Sequence, residues 1–251
     1  MTMLTFPDKV AWVVGASRGI GAAVARELAA RGARVAISAR DADQLAQVSG
    51  RQMVEIAADV TDPMTLTAGL SIIQDRLGPL DIVVVSAGYW KQMSVDAWDT
   101  EVFDRHVKVN LSGLSNTIAA VLPGMLRQRS GVIAGIASVA GYRGLAGSEA
   151  YGATKAAQIN LLESLRIHLH HTGVRVTTVC PGFVRTDLTA ANSFPMPFLI
   201  EPDQAARAIC DGLARERTQI VFPLPMAVMM NTARLVPASV WSALWTRRSP
   251  R

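Results

Sequence analysis

The sequence predicts an α/β fold: a single-domain, doubly wound parallel sheet with helices on both faces. Three observations carry that expectation. Short β-branched runs alternate with longer helical patterns along the 251-residue chain. The runs are near-continuously apolar rather than alternating, as befits strands covered by helices on both sides. No linker, repeat or low-complexity segment breaks the β-α-β order, which is the signature of a parallel sheet.

The first run, Val10–Val14, leads through a glycine-rich turn into an Ala-rich helical pattern at Ile20–Arg31. A second run at Arg34–Ser38 and a third at Met53–Ala57 precede a helix over Pro63–Leu77. The fourth, Ile82–Ser86, leads to one long helical pattern over Ala97–Gln128, and the fifth, Gly131–Ile136, to another over Ser148–His171. The sixth, Arg175–Cys180, is followed by a helix at Pro202–Glu216. Half the residues are hydrophobic, enough for one generous core in a chain of this size.

Composition excludes several classes. Cys180 and Cys210 are too few for a disulfide framework and fall in no metal-ligand spacing, so they read as buried apolar residues in a reducing compartment. The net charge of +5 is spread over scattered arginines, apart from Arg247, Arg248 and Arg251, which argues against a nucleic-acid surface. His168, His170 and His171 close a helical pattern, where polar or cationic groups suit the helix dipole, and no metal site is expected there. His106 is a lone helix histidine. Met1–Phe6 is too short for a secretory signal. The longest apolar stretch, Val221–Met230, carries Pro223 and Pro225 and is half of the roughly 20 residues a spanning helix needs. A cytoplasmic protein, or one held at a membrane surface, is expected.

Gly15-Ala16-Ser17-Arg18-Gly19-Ile20-Gly21 lies between strand and helix. Glycines there let the backbone approach a pyrophosphate, whose charge is met by the helix N-terminus. A cofactor whose ribose 2′-hydroxyl is free calls for an acidic residue at the end of the second strand. That end reads Ile37-Ser38-Ala39-Arg40, with no carboxylate before Asp41. Arg40 and Arg18 suit a 2′-phosphate instead, which favours NADP(H) over NAD(H). Asp59, followed by Val60, is placed to meet the adenine ring, with helix capping as its rival explanation.

Tyr151 and Lys155 are an i, i+4 pair on one helix face, about 6 Å apart along the axis. A phenol titrating near pH ~10 is a poor base at neutrality. A neighbouring ammonium shifts it towards useful acid/base work. Ser138, at the carboxyl end of the fifth strand, is placed to hydrogen-bond a substrate oxygen. Asn110, an amide within Val109-Asn110-Leu111, suggests either a specific partner or a satisfied structural amide.

With these residues in this order, followed by Pro181-Gly182, the chain resembles the short-chain dehydrogenase/reductase family over roughly residues 8 to 220. The resemblance implies a Rossmann-type fold and a hydride transfer between a nicotinamide cofactor and a carbonyl or alcohol. Tyr151 would then move the proton and Ser138 hold the substrate oxygen. Lys155 would bind the nicotinamide ribose and lower the phenol's pKa, and Asn110 would hold a relay water through its backbone. Gly15, Ser17, Arg18, Gly19, Ile20, Gly21, Arg40, Asp59, Val60, Ala87, Gly88, Pro181, Gly182, Val184 and Thr186 would line the cofactor, beside Tyr151 and Lys155. Two departures touch the cofactor scaffold: Val14 stands where the family usually has Thr, and Ser86-Ala87-Gly88 where it commonly has Asn-Asn-Ala-Gly. The three-residue gap between Tyr and Lys differs from the longer gap of the enoyl-reductase branch.

In the segment Asp187 to Glu201, Phe194, Met196, Pro197, Phe198 and Leu199 suggest an apolar carbonyl or alcohol substrate, with Leu145, Tyr142 and Trp90 as further wall residues. Residues 1–220 are expected to form the dinucleotide-binding and catalytic domain, and 221–251 an apolar extension packed on it. That tail, with Met226, Met229, Met230, Leu235, Trp241, Leu244 and Trp245, reads as a cover or subunit contact, with an interfacial membrane segment as the alternative. The family resemblance implies a homodimer or homotetramer through the two long helices. A rival to the enzyme reading is an NADPH-binding redox sensor without turnover. Sensors on this fold generally lose the Tyr or Lys, and this chain keeps both.

Overall fold

The computed structural model describes residues 4–50, 52–190 and 194–246, the side chains of residues 244–246 excepted. The first half of the chain runs β1 (Val10–Val14), α1 (Gly19–Ala30), β2 (Arg34–Ala39), α2 (Ala42–Ser49), β3 (Val54–Ala57), α3 (Pro63–Leu77) and β4 (Ile82–Val85). It continues through α4 (Thr100–His106), a π-helical turn (Val107–Ser112) and α5 (Gly113–Gln128) to β5 (Gly131–Ile136) and α6 (Glu149–His168). Then come β6 (Val174–Pro181), α7 (Asp187–Ala190), α8 (Pro202–Ala214), β7 (Gln219–Phe222), α9 (Leu224–Leu235) and α10 (Ala238–Thr246).

The seven strands form one sheet in the order β3-β2-β1-β4-β5-β6-β7, and every pairing is parallel. β1 is buried along its whole length because it sits at the centre, between β2 and β4. Alternate residues of each strand feed two separate cores. Val13, Val35, Ile37 and Val84 pack with Ala22, Ala25 and Leu28 of α1 and with Ala205, Ile209 and Leu213 of α8. Trp12, Val83, Val85 and Ile133 pack on the opposite face with Leu66 and Ile73 of α3, Leu114 and Val121 of α5, and Leu162 of α6. The indole of Trp12, the largest fully buried side chain on that face, donates to Ser38 Oγ at 3.0 Å, so its one polar atom is satisfied.

The chain reverses its direction of winding between β1 and β4. In a doubly wound sheet the ligand crevice lies beyond the strand carboxyl ends at that point. Everything that follows about the site is placed by this rule.

Three elements in particular depart from the sequence expectation. The predicted helix 97–128 starts at Thr100, capped by Asp99 Oδ1 accepting from Val102 N at 3.0 Å, and changes to a π turn around Asn110 before resuming as α5. By length and composition the 100–128 helix could cross a membrane, yet Leu114, Ile118, Val121 and Met125 are buried in the core on the sheet. Helix α2 is not predicted, being only eight residues long, with Asp41 as its N-cap. Strand β7 carries the sheet past residue 220 to Phe222, so two residues of the tail segment belong to the sheet. The rest of the tail folds as α9 and α10. Met226 and Met230 of α9 are buried with Ala137, Val139, Tyr142 and Cys180, and Leu224, Val228 and Leu235 face solvent.

Candidate active site

Gly15 follows β1 with φ +84°, and a Cβ built on it would lie 2.4 Å from the backbone N of Ala87. Only glycine lets the loop after β1 approach the loop after β4 this closely. Gly21 is crowded as well: a Cβ built on it would lie 2.1 Å from the Gly15 carbonyl oxygen. Helix α1 then begins with no side chain capping it and no acidic residue in its first turn. Its first N–H groups, around Ser17, Arg18, Gly19 and Ile20, therefore carry an uncompensated positive end, the environment a pyrophosphate needs. Thr186, held by Thr189 Oγ1 accepting from its backbone N at 3.0 Å, lies directly over Gly19. Arg18 reaches Asp187 at 3.3 Å. Both side chains are well exposed, so the pair itself contributes little.

At the end of β2, Arg40 is exposed. Asp41, the nearest carboxylate, accepts from Gln44 N at 3.1 Å as the α2 cap and is not directed at a ribose. Asp59, after β3, is not a helix cap: Asp62 caps α3, and Asp59 Oδ1 accepts from Thr61 N at 2.8 Å and Thr61 Oγ1 at 2.9 Å. Partial burial works to raise its pKa. The two Thr61 bonds and the charges of Arg40 and Lys108 outweigh that and hold it below the usual carboxylate value. Val60 is turned towards the core, where its side chain would meet any Cβ on Gly113 at 2.7 Å, and its carbonyl accepts from Asn116 at 2.9 Å. Pro181 and Gly182 end β6, with Gly182 N donating to Phe222 O at 2.8 Å; Val184 is buried and bridges to Ile200.

Tyr151, Thr154, Lys155 and Gln158 lie at i, i+3, i+4 and i+7 on α6, one stripe facing the ends of β5 and β6. Burial drives the phenol and the ammonium in opposite directions, because in each case it disfavours the charged form. Tyr151 is pushed up to about 12 by desolvation, against a hydrogen bond with Ser138 that pulls it down. Lys155 is 3% exposed. Its desolvation brings it down to about 7, against a small raising influence from Cys180. Lys155 Nζ donates to Ile136 O at 2.8 Å and Gln158 Oε1 at 2.9 Å, and lies 5.4 Å from the Tyr151 ring centroid. Ser138 extends from the end of β5, its Oγ accepting from Ala140 N at 3.1 Å.

Asn110 is fully buried in the π turn. Its side chain accepts from Tyr89 N at 2.7 Å and donates to Tyr89 O at 3.1 Å and Thr154 Oγ1 at 3.0 Å. The amide thus ties the loop after Ala87-Gly88 to α6, the structural role left open by the sequence. Its backbone carbonyl, assigned a relay water from the resemblance, accepts from Gln158 Nε2 at 2.6 Å through one of its two lone pairs. The sequence reading does not pick out Gln158, Thr154 or Tyr89. A signal for two of them exists: a polar 151/154/155/158 stripe on a helix face that must be buried.

Around the phenol, Trp90 stands edge-on to Tyr151 with ring centroids 5.3 Å apart, and His106 does so at 6.5 Å. His106 is buried, with Nδ1 2.7 Å from Val102 O and Nε2 accepting from Lys91 N at 3.3 Å, which fixes a neutral ring. Burial lowers its pKa further than the Val102 bond raises it. A cleft lies between the loop 140–149 and Gly152, Ala153 and Ala156 of α6, with Leu145 on its wall. Tyr142 lines the same cleft and is also held from the tail side: its hydroxyl accepts from Gln219 Nε2 at 2.9 Å and Arg234 lies over its ring. The tail is latched to this loop, with Arg143 Nη2 donating to Val236 O at 2.7 Å and Trp241 Nε1 to Gly144 O at 2.8 Å. Phe194 packs against Phe183, and Phe198 is half exposed. Residues 191–193 and the terminal Arg247, Arg248 and Arg251 lie outside the described residues.

Comparison with known proteins agrees with this geometry. An uncharacterized oxidoreductase of Myxococcus xanthus is 37% identical over 241 residues, 94% of this chain and 95% of the relative. A short-chain type dehydrogenase/reductase from Mycobacterium ulcerans superposes with a TM-score of 0.79 at 27% identity, covering 87% of this chain and 89% of that one. A single-substitution variant of actinorhodin polyketide ketoreductase with NADPH gives a TM-score of 0.78 at 25% identity, covering 86% and 95%. The family model for short chain dehydrogenase matches residues 9–195, and the chain belongs to the short-chain dehydrogenase/reductase family.

Proposed function

We propose that this oxidoreductase interconverts an apolar ketone or aldehyde and its alcohol, using NADP(H), with Tyr151 as the proton-transfer residue. The observation that carries the proposal is the gathering of a half-buried Tyr151 with buried Lys155 and Ser138 at the carboxyl ends of β5 and β6, beside the glycine cradle. When bound, the cofactor supplies or accepts a hydride at C4 of its nicotinamide. The chain supports the rest of the chemistry. Ser138 and the phenol offer hydrogen bonds to a carbonyl oxygen. A phenol held well above neutrality keeps its proton until negative charge develops on that oxygen, and then donates it. Lys155, close to the ring, stabilises the phenolate left behind when it carries its proton.

NADP(H) is favoured by Arg40 and Arg18, which carry the kind of charge a 2′-phosphate accepts, and by the commitment of Asp41 to its helix. The ketoreductase with NADPH is a neighbour in keeping with this reading. Trp90 beside the phenol and Leu145 on the cleft wall are apolar, which favours an apolar substrate. The long faces of α5 and α6 are offered as the subunit contact of a homodimer or homotetramer.

The test is a fluorescence titration with NADPH and NADH, followed by a screen of aromatic and alicyclic ketones. Tenfold tighter NADPH binding, with turnover lost in Tyr151→Phe while NADPH still binds, is the expected result. Turnover unchanged in Tyr151→Phe would overturn the mechanism, and cofactor binding without turnover on any carbonyl would favour the sensor reading.

A further inference from the structure

Gln158 is 2% exposed and seven residues beyond Tyr151 on the same face of α6. Its amide is held at both ends. Nε2 donates to the Asn110 carbonyl at 2.6 Å, and Oε1 accepts from Lys155 Nζ at 2.9 Å. The orientation of the amide is set by chemistry, because a carbonyl oxygen can only accept and an ammonium can only donate. Turned the other way, both contacts would be repulsive.

Lys155 has few other supports. None of the ion pairs among the described residues includes it. Its second acceptor is the Ile136 carbonyl at 2.8 Å. The titratable groups facing it are Tyr151 on its own helix and the Cys180 thiol at the end of β6, both neutral at physiological pH. A buried ammonium surrounded by neutral groups keeps its proton only through the dipoles that accept from it. Two such dipoles are present among the described residues, and Gln158 supplies the one that comes from a side chain.

We infer that Gln158 is a positioning residue that holds Lys155 in its charged form beside Tyr151, acting as a fixed amide bridge between the ammonium and the Asn110 carbonyl of the π turn. The bridge ties three elements, α6, the π turn and β5, to one ammonium. Its consequence for the phenol rests on the acid/base reading of Tyr151 given above; its consequence for Lys155 does not.

The chain has only four lysines, Lys9, Lys91, Lys108 and Lys155, so a lysine-specific measurement resolves them. The full-length protein, labelled with 13C at lysine Cε, is titrated by NMR, and the Lys155 signal is identified by its loss in Lys155→Met. Gln158→Met keeps the volume and removes both hydrogen bonds. It should lower the Lys155 midpoint by a pH unit or more, a tenfold loss of proton affinity. Gln158→Glu places a carboxylate against the ammonium and should raise the midpoint above that of the unaltered protein. Opposite shifts in the two variants support the bridge, and either variant alone decides if the other does not fold. A midpoint within about 0.3 units of the unaltered protein in Gln158→Met, or no rise in Gln158→Glu, overturns it. With NADP⁺ and 1-phenylethanol as the probe, Gln158→Met should also move the acidic limb of kcat/KM to higher pH. If the unaltered protein turns over no alcohol or ketone, the reading of Tyr151 fails while the lysine titration still decides the role of Gln158.

Discussion

Arg40 offers the sharpest test of cofactor choice. It follows the last residue of β2 and is exposed, and the nearest carboxylate in sequence, Asp41, is engaged by Gln44 N at 3.1 Å. A hydrogen bond to a charged group contributes roughly 1.5–3 kcal/mol. At about 1.4 kcal/mol per factor of ten, that is on the order of 10- to 150-fold in affinity. Arg40 is solvent-exposed, so screening pulls the expectation to the lower end, about tenfold near physiological salt with a Debye length of ~8 Å. Arg18 shares its charge with Asp187 at 3.3 Å and makes up only part of the loss. Arg40→Ala should therefore weaken NADPH binding by about tenfold and leave NADH, which lacks the 2′-phosphate, within twofold. The assay is the fluorescence titration with both cofactors at low and high salt, where the NADPH loss should shrink as salt rises. Equal weakening of the two cofactors would show that Arg40 supports the loop and does not read the phosphate, and the NADP(H) assignment would then fall.

Other perturbations follow from the same geometry. If Tyr151 is the proposed proton-transfer residue, it carries its proton to reduce and loses it to oxidise; with its pKa pushed up to about 12, alcohol oxidation should quicken as pH rises from about 7 to about 10. Ketone reduction should stay flat over that range; a reduction rate that rises with pH would exclude the phenol as the acid. Gly15→Ala forces a left-handed conformation costing ~1–2 kcal/mol on a non-glycine residue and sets a Cβ against the Ala87 backbone at 2.4 Å. It should lower the thermal midpoint and weaken NADPH at least tenfold, and unaltered binding would refute the cradle. Trp241→Ala removes the hydrogen bond to Gly144 and the stack on Arg143, so denaturant unfolding should register a loss of ~1–2 kcal/mol.

The sheet is legible because its strands are buried on both faces and so are written as unbroken apolar runs; β1 and β5 match the sequence reading residue for residue. Where periodicity is short or ambiguous, legibility fails. Helix α2 has eight residues, too few for a clear period, and its start is signalled only by Asp41. Strand β7 is four residues beside Pro223, and its neighbour α9 begins with Leu224-Pro225, so the apolar run across them has neither a helical nor a strand signature. The π turn is invisible to any reading based on a 3.6-residue period, since it inserts a wider turn inside an otherwise continuous pattern. In the site, the glycine loop, Ser138, Tyr151 and Lys155 are legible from residue type and placement. The tail's part in it is not: that Gln219 and Arg234, on distant elements, hold Tyr142 on the cleft wall is written in no local pattern.

The polar stripe on α6 shows why the chemistry and the fold of this chain are hard to separate. Four polar residues at the spacing of a core face cost stability unless each finds a partner. Thr154 meets Asn110, Gln158 meets both Asn110 and Lys155, and Lys155 also meets Ile136. The partners come from the π turn and from β5, so the stripe is satisfied only when those elements are already in register. An apolar replacement at Thr154 or Gln158 would leave buried groups on Asn110 unpaired, a worse outcome than the loss of one favourable contact. That asymmetry is the reason for expecting the ammonium of Lys155 to stay fixed against the Tyr151 ring: it is held by the Ile136 carbonyl and by an amide that is itself held by Asn110, and the phenol beside it inherits their rigidity.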